Sequence, residues 1–422
     1  MPDESRLRPR YALFLLSLVM MLNVIDRQML SILIEPIKRE LDVGDAAMGL
    51  LTGTSFALLH VVAMIPLASL ADRGSRRRLI AWGLGTWSAL TVLTGLARSF
   101  GQMFWIRLGL GVGEATSIPA SHSLVADLFP LERRATALSM LVLSGPIGQM
   151  IAYAGAGWIN AIWGWRVAFF IFGLPGVALA LVIAFTLAEP SRGAADGSAG
   201  HWAPVPLPVA LRQLLAHRSY RHLTAAGGLS ATANYALLIW AAPLWMRGYG
   251  LDSAEAGTAL ALATGPANAL GVLLAGRLAD RLGARDPRWL VWLPALACAG
   301  AAAPALAFVF APSHGLAIGL LALTSFIGAM VIGPVFAAVQ SVAPPPVRSV
   351  AAATLSLVLT ALGLGLAPPL VGLASDLGEA RHGVAALRYG VAGAMLCLPW
   401  AALHLIAAGR RLRTDLEVVS AP

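Results

Sequence analysis

Five stretches in the second half of this chain, residues 223–246, 256–276, 289–311, 315–347 and 350–375, contain no Asp, Glu, Lys or Arg at all. Each is at least 21 residues long. A helix needs about 20 apolar residues to cross a hydrocarbon core ~30 Å thick. Inside lipid the backbone polar groups have no water to bond, so a helix that satisfies them within the segment is the natural answer. The pattern extends to the first half with a few charges added, and twelve spanning segments result: 11–34, 46–71, 79–98, 102–127, 135–160, 166–188, 222–246, 253–279, 289–311, 314–341, 349–375 and 389–408. With 12% charged residues against about 25% in soluble domains, the chain reads as an all-α polytopic membrane protein.

The positive charges orient it. With the N-terminus inside, 21 Arg or Lys fall on the inner side, 7 outside and 2 within the membrane, which places both termini in the cytoplasm. The formal charge of +9 is therefore an orientation signal, and without an aromatic-interleaved basic stripe it does not point to nucleic acid. Arg6 and Arg10 precede an apolar run too long for a signal peptide, and no small-residue cleavage site follows. Cys298 and Cys397 lie inside apolar runs, so neither a disulfide framework nor a metal site is expected.

The chain also repeats itself. Ala68-Ser-Leu-Ala-Asp72-Arg73 answers Gly276-Arg-Leu-Ala-Asp280-Arg281 at an offset of 208 residues, and Gly49 answers Gly257 at the same offset. Two six-helix units related about the membrane normal follow: residues 1–188, a central loop 189–221 with an amphipathic helix near 207–217, and residues 222–422.

Only four charges lie deep in the spans: Asp26, Arg27, Arg107 and Glu114. A charge at that depth costs from ~2.5 to more than ~10 kcal/mol, so each needs a partner or a wet cavity. Asp26 and Arg27 point about 100° apart around their helix, whereas Arg107 and Glu114 share one face two turns apart. Gly109, Gly111 and Gly113 strip the bulk between them, which invites another helix or a ligand. Burial favours a neutral carboxyl and a guanidinium favours the carboxylate, and that competition suits a proton-coupling acid. The residues fit either a proton path or ion pairs that lock helices together.

His60 and His122 fit a proton relay or plain helix contacts. Asn234, Tyr235 and Thr324 fit cavity polar groups or interhelical hydrogen bonds. All four deep charges belong to the first half, so a cavity between the halves would have one charged wall and one apolar wall. Its solute would be two-ended, with an anionic or zwitterionic head for Arg27 or Arg107 and an apolar body facing Tyr235, Trp240 and Phe326. Asp72 and Asp280 close segments two and eight, where an acid opposes the helix dipole and wants a partner elsewhere.

The loops Ala68-Ser-Leu-Ala-Asp72-Arg73-Gly-Ser-Arg76-Arg77 and Gly276-Arg-Leu-Ala-Asp280-Arg281-Leu-Gly283-Ala-Arg285 resemble the cytoplasmic signature loop of the major facilitator superfamily. The first departs from it at Ala68 and Ser75. Ile25-Asp26-Arg27-Gln-Met-Leu, Glu35-Pro-Ile-Lys-Arg-Glu40-Leu, Arg107-Leu-Gly-Leu-Gly-Val-Gly-Glu114-Ala and Ala126-Asp-Leu-Phe-Pro-Leu-Glu-Arg133-Arg resemble its spinster family over roughly residues 20–135. That resemblance implies alternating access between the two bundles, with Asp26 and Glu114 as protonation sites and Arg27 and Arg107 as their partners or the solute's. It places Asp72, Arg73, Arg76, Asp280, Arg281 and Arg285 in a cytoplasmic gate. Animal members of that family move lysophospholipids or sphingosine-1-phosphate.

The expectation is a proton-coupled secondary active transporter of a small amphiphilic or anionic, lysolipid-like solute. It would be a monomer in the inner membrane of the cell, with no cofactor and no metal. A broad-specificity drug/proton antiporter is the alternative. A hydrolase would need a metal cluster or a Gly-x-Ser-x-Gly elbow, and neither is present. A passive channel does not call for duplicated halves.

Overall fold

The structure, a computed structural model, describes residues 9–190 and 205–420, and all regular elements among them are helical. The helices before the central loop are α1 Pro9–Ile32, α2 Ile34–Leu41, α3 Asp45–Gly49, α4 Ser55–Arg73, α5 Arg76–Thr94, α6 Phe100–Glu114, α7 Ser117–Leu128, α8 Leu131–Trp163 and α9 Trp165–Thr186. After it come α10 Leu207–Ala216, α11 Arg218–Tyr249, α12 Ser253–Gly283, α13 Trp289–Val309, α14 His314–Gly328 and α15 Ile332–Ser341. The chain ends in α16 Arg348–Val358, α17 Ala367–His382, α18 Ala386–Met395 and α19 Cys397–Ser420.

Among the described residues, eight stretches are long and apolar enough to cross a membrane. One of them, Arg348–Glu417, holds two of the expected spans. The other three expected spans lie on α5, on α6 with α7, and on α11, where charged or polar residues lower the hydropathy. The twelve-span reading and the helical fold class both stand.

The described residues form two compact units. The first takes in 9–43, 54–190 and 251–261; the second takes in 44–53, 205–250 and 262–420. They follow the sequence halves except for two exchanged pieces, the leading ends of spans two and eight. The internal repeat explains the exchange. In the second unit Gly49 lies against the backbone of Pro368 and Pro369, and in the first Gly257 lies against the Tyr153 carbonyl. At either glycine a Cβ would strike main chain.

A polar anchor stands four residues before each glycine. Asp45, 1% exposed, accepts Arg247 Nη1 and Nη2 at 2.6 and 2.7 Å and the Ser375 hydroxyl at 2.7 Å. Asp376 in turn accepts the Asp45 and Ala46 backbone N–H groups, both at 2.8 Å. In the other unit the Ser253 hydroxyl donates to the Gly157 carbonyl at 2.9 Å and accepts Asn160 Nδ2 at 2.8 Å. Gly49→Val or Gly257→Val is therefore expected to cost about 1–3 kcal/mol through overpacking. Thermal unfolding in detergent measures it. Gly300→Val, with open space at its Cβ, serves as the neutral control.

Within the first unit α1 packs on α8, α5 on α9 and α6, and α4 on α6. Within the second, α11 and α13 pack on α19. The apolar core there includes Tyr220, Val291, Cys298, Val335, Leu355 and Leu405. The amphipathic piece of the central loop is α10, and its buried Ala210 and Leu214 join that core.

Candidate functional site

The site of the first unit is assembled by α6. Gly111 presents its bare backbone to the Phe56 carbonyl and to His60 of α4, and Gly113 meets Trp87 and the Gly83 carbonyl of α5. The glycine ladder thus brings three helices together without intervening side chains, as its spacing invites. The helix breaks just beyond it: the Thr116 and Ser117 hydroxyls turn back onto the Gly113 and Glu114 carbonyls, both at 2.8 Å. Glu114 is the last residue of α6 and is completely buried.

The four deep charges form two crossed pairs. Glu114 Oε2 accepts Arg27 Nε at 2.7 Å and Asn23 Nδ2 at 2.8 Å. Asp26 Oδ1 accepts the Thr91 hydroxyl at 2.6 Å, and Oδ2 faces Arg107 Nη1 at 3.7 Å, an ion pair beyond hydrogen-bond reach. Glu114 Oε1 and Asp26 Oδ2 are buried and accept no hydrogen bond among the described residues. The two cations differ in access. The Arg107 side chain is 1% exposed and Arg27's is 20% exposed, so Arg27 is the guanidinium a solute can reach.

His60 closes the site from α4. Its Nδ1 sits 3.1 Å from the Gly111 carbonyl, which can only accept, so that nitrogen carries the proton. Phe56 stacks on His60 with centroids 4.9 Å apart, and the Arg27 guanidinium lies 4.7 Å from the same ring's centre. His122 is exposed on α7 and bonds to none of these groups.

Sequence reasoning passed over Asn23, Thr91 and Tyr153 as members of this site. Asn23 had a signal, since it lies four residues before Arg27 and therefore on its face. Thr91 had none: a helical Thr bonds its own turn as readily, and this one also donates to the Trp87 carbonyl at 3.0 Å. The Tyr153 hydroxyl donates to Gln28 Oε1 at 3.1 Å, which ties α1 to the stretch of α8 that seats Gly257.

The second unit holds the remaining expected solute contacts. Asn234 is exposed, and Tyr235 is half-buried against Gly363. Trp240 is fully buried with its indole N–H on the Pro368 carbonyl at 3.2 Å, so its ring supports α17. The buried Thr324 hydroxyl donates to Leu320 of its own helix at 2.8 Å, and half-buried Phe326 sets its carbonyl against Gly271. No hydrogen bond among the described residues joins Tyr235 or Trp240 to Thr324 or Phe326.

Of the expected gate residues, the Asp72 and Arg73 side chains lie outside the described residues. Asp280 and Arg281 are exposed near the end of α12, and Arg285 is exposed just beyond it. Arg76 is instead a buried hub of the first unit. It bonds Asp127, Glu189 Oε1 at 2.9 Å, Ser123 and the Pro190 carbonyl, clamping the ends of α5, α7 and α9. Burial alone would raise the Glu189 carboxyl, but bonds from the Arg77 backbone N–H, Arg76 and Ser75 outweigh it and hold the group below its usual 4.5. A lowered folded-state value stabilises above 4.5 and is lost as pH falls below it. Thermal stability is therefore expected to drop on the acid side, and Glu189→Gln to flatten that drop.

Comparison with known proteins bears on this arrangement. The family model of the Major Facilitator Superfamily matches residues 16–368. An MFS-type efflux pump of Mycolicibacterium smegmatis is 35% identical, with 94% of this chain and 90% of the pump covered. The sphingosine-1-phosphate transporter SPNS2 of Danio rerio is 29% identical over 55% of this chain and 47% of its own. Among solved structures, a bacterial homolog of the human lysosomal transporter spinster, inward-facing and unoccupied, superposes with a TM-score of 0.85. It is 26% identical and covers 98% of this chain and 99% of its own.

Proposed function

This chain belongs to the major facilitator superfamily as a transporter of spinster type, and we propose that it couples proton movement to the passage of a small amphiphilic or anionic organic solute by alternating access. The observation that carries this reading is the crossed pair of ion pairs, Asp26 with Arg107 and Glu114 with Arg27. With both acids ionised the four charges cancel. A proton on Glu114 Oε1 would leave one net positive charge, which a membrane interior penalises. An anionic head on Arg27 would restore neutrality, so proton and anion favour each other's presence.

Both termini lie in the cytoplasm of the inner membrane in this reading, as the arginine bias requires. Only Arg27 has the exposure to meet a solute, so Arg107 holds Asp26 in place. Movement of Arg27 would pull on α1, and through Gln28 on Tyr153, where the leading end of span eight is seated.

The 35% identity to an efflux pump favours the second reading, a drug/proton antiporter, in which a cationic solute displaces the proton opposite Glu114. Proteoliposomes with an internal pH dye separate the two. With a lysophosphatidic acid as probe, symport acidifies the lumen as solute enters. With ethidium as probe, antiport alkalinises it. A lumen that responds to neither probe beyond empty vesicles sinks the proton-coupled reading.

A further inference from the structure

We propose that a cavity on the first unit, at the ends of α1, α7 and α8, is a binding site for an anionic phospholipid headgroup of the cytoplasmic leaflet. Its lining is Pro9, Arg10 and Tyr11 of α1, Leu128 of α7, Phe129 and Pro130 of the link, and Arg133 of α8. The volume is about 540 Å³, within the roughly 300–1,000 Å³ of pockets that take small ligands. None of these seven residues belongs to the deep charge cluster or to the exposed loop after α12.

Chemistry selects the occupant. Arg10 and Arg133 are exposed, and no carboxylate of the described residues pairs with either. Their neighbour Arg134 contrasts with them, since its guanidinium donates to the Ala126 carbonyl at 2.7 Å. The rest of the lining is apolar or aromatic, and the Tyr11 ring is steadied by a 2.7 Å hydrogen bond between its hydroxyl and Thr186 of α9. Two guanidiniums above an apolar floor match a phosphate with an acyl chain behind it.

Position agrees. The cavity sits where three helices end, at the level the positive-inside count assigns to the inner headgroup layer. The proposal thus rests on that orientation, but not on the identity of the transported solute. Basic pockets at this depth between spanning helices attract acidic lipids, whereas a zwitterionic headgroup carries its own cation and gains little.

Native mass spectrometry of the full-length protein, released from micelles doped with palmitoyl-oleoyl phosphatidylglycerol or phosphatidylcholine, tests it. Phosphatidylglycerol is expected to be retained at least fivefold more than phosphatidylcholine. Arg10→Ala/Arg133→Ala should abolish that preference, each single variant should weaken it, and Arg10→Lys/Arg133→Lys should keep part of it. Transport of the probes above is expected to be unchanged in all of them, which distinguishes failure here from failure of the transport reading.

Soluble glycerol phosphate, added in excess, is expected not to compete. Three results overturn the site: equal retention of both lipids, unchanged preference in the double alanine variant, or full competition by glycerol phosphate. The last would make it a site for free anions. A preference that appears only after removal of Asp3 and Glu4 would mean that the chain's own acidic N-terminus fills the cavity, and would also overturn it. Should the double variant fail to assemble, the two single variants decide.

Discussion

Glu114→Gln is expected to reduce proton-driven transport to the level of empty vesicles while the protein still folds. Glutamine keeps an oxygen to accept Arg27 Nε and Asn23 Nδ2, now at 2.7 and 2.8 Å, so the local bonding survives. What it removes is the titratable oxygen Oε1, buried and without a hydrogen bond among the described residues. The stability loss should stay near the ~1 kcal/mol of an ordinary hydrogen-bond change. Exchange of solute across the membrane needs no net proton and is expected to persist, because Arg27 is still present to receive the anion. Counterflow of labelled solute and gradient-driven uptake, measured on the same vesicles, separate the two activities. Wild-type proton dependence in this variant would remove Glu114 from the coupling step.

Asp26→Ala is expected to act mainly on stability. It strips the acid paired with Arg107, whose side chain is 1% exposed and whose Nε and Nη1 make no hydrogen bond among the described residues. An uncompensated charge of this kind costs about 3–5 kcal/mol. Arg107→Met should be costly for the mirror reason, as it leaves the buried Asp26 carboxylate without its ion pair and with the Thr91 hydroxyl as its hydrogen-bond donor among the described residues. The double variant Asp26→Leu/Arg107→Met is expected to recover most of the loss, since an apolar pair of similar bulk needs no compensation. A thermal-unfolding cycle in detergent reads the coupling directly. Additive losses would show that the pair, 3.7 Å apart, is not an energetic unit.

Much of the molecule was legible as sequence because the relevant physics is local or periodic. Uncharged runs of 21 residues or more require spanning helices whatever their neighbours. The 208-residue offset of Asp72 with Asp280 and of Gly49 with Gly257 announces a duplication. The energetic cost of charge in lipid singled out Asp26, Arg27, Arg107 and Glu114, and the alternate glycines from 109 to 113 announced a close approach.

Pairing was another matter. That Arg27 crosses to Glu114, 87 residues away, while Asp26 takes Arg107 depends on how α1 and α6 lie together, and both pairings satisfy the same charge count. Arg76 looked like one more basic residue of a signature loop. Only packing revealed that the ends of α5, α7 and α9 converge on its guanidinium. Gly49 and Gly257 carried the repeat in the sequence, but nothing there told that each is captured by helices of the opposite half, against Pro368 and Tyr153. Composition and periodicity thus determined the spans and the inventory of deep charges, because a bilayer scores each segment on its own. Tertiary structure alone decided which charge meets which, and which backbone each glycine admits, because those are properties of two helices at once.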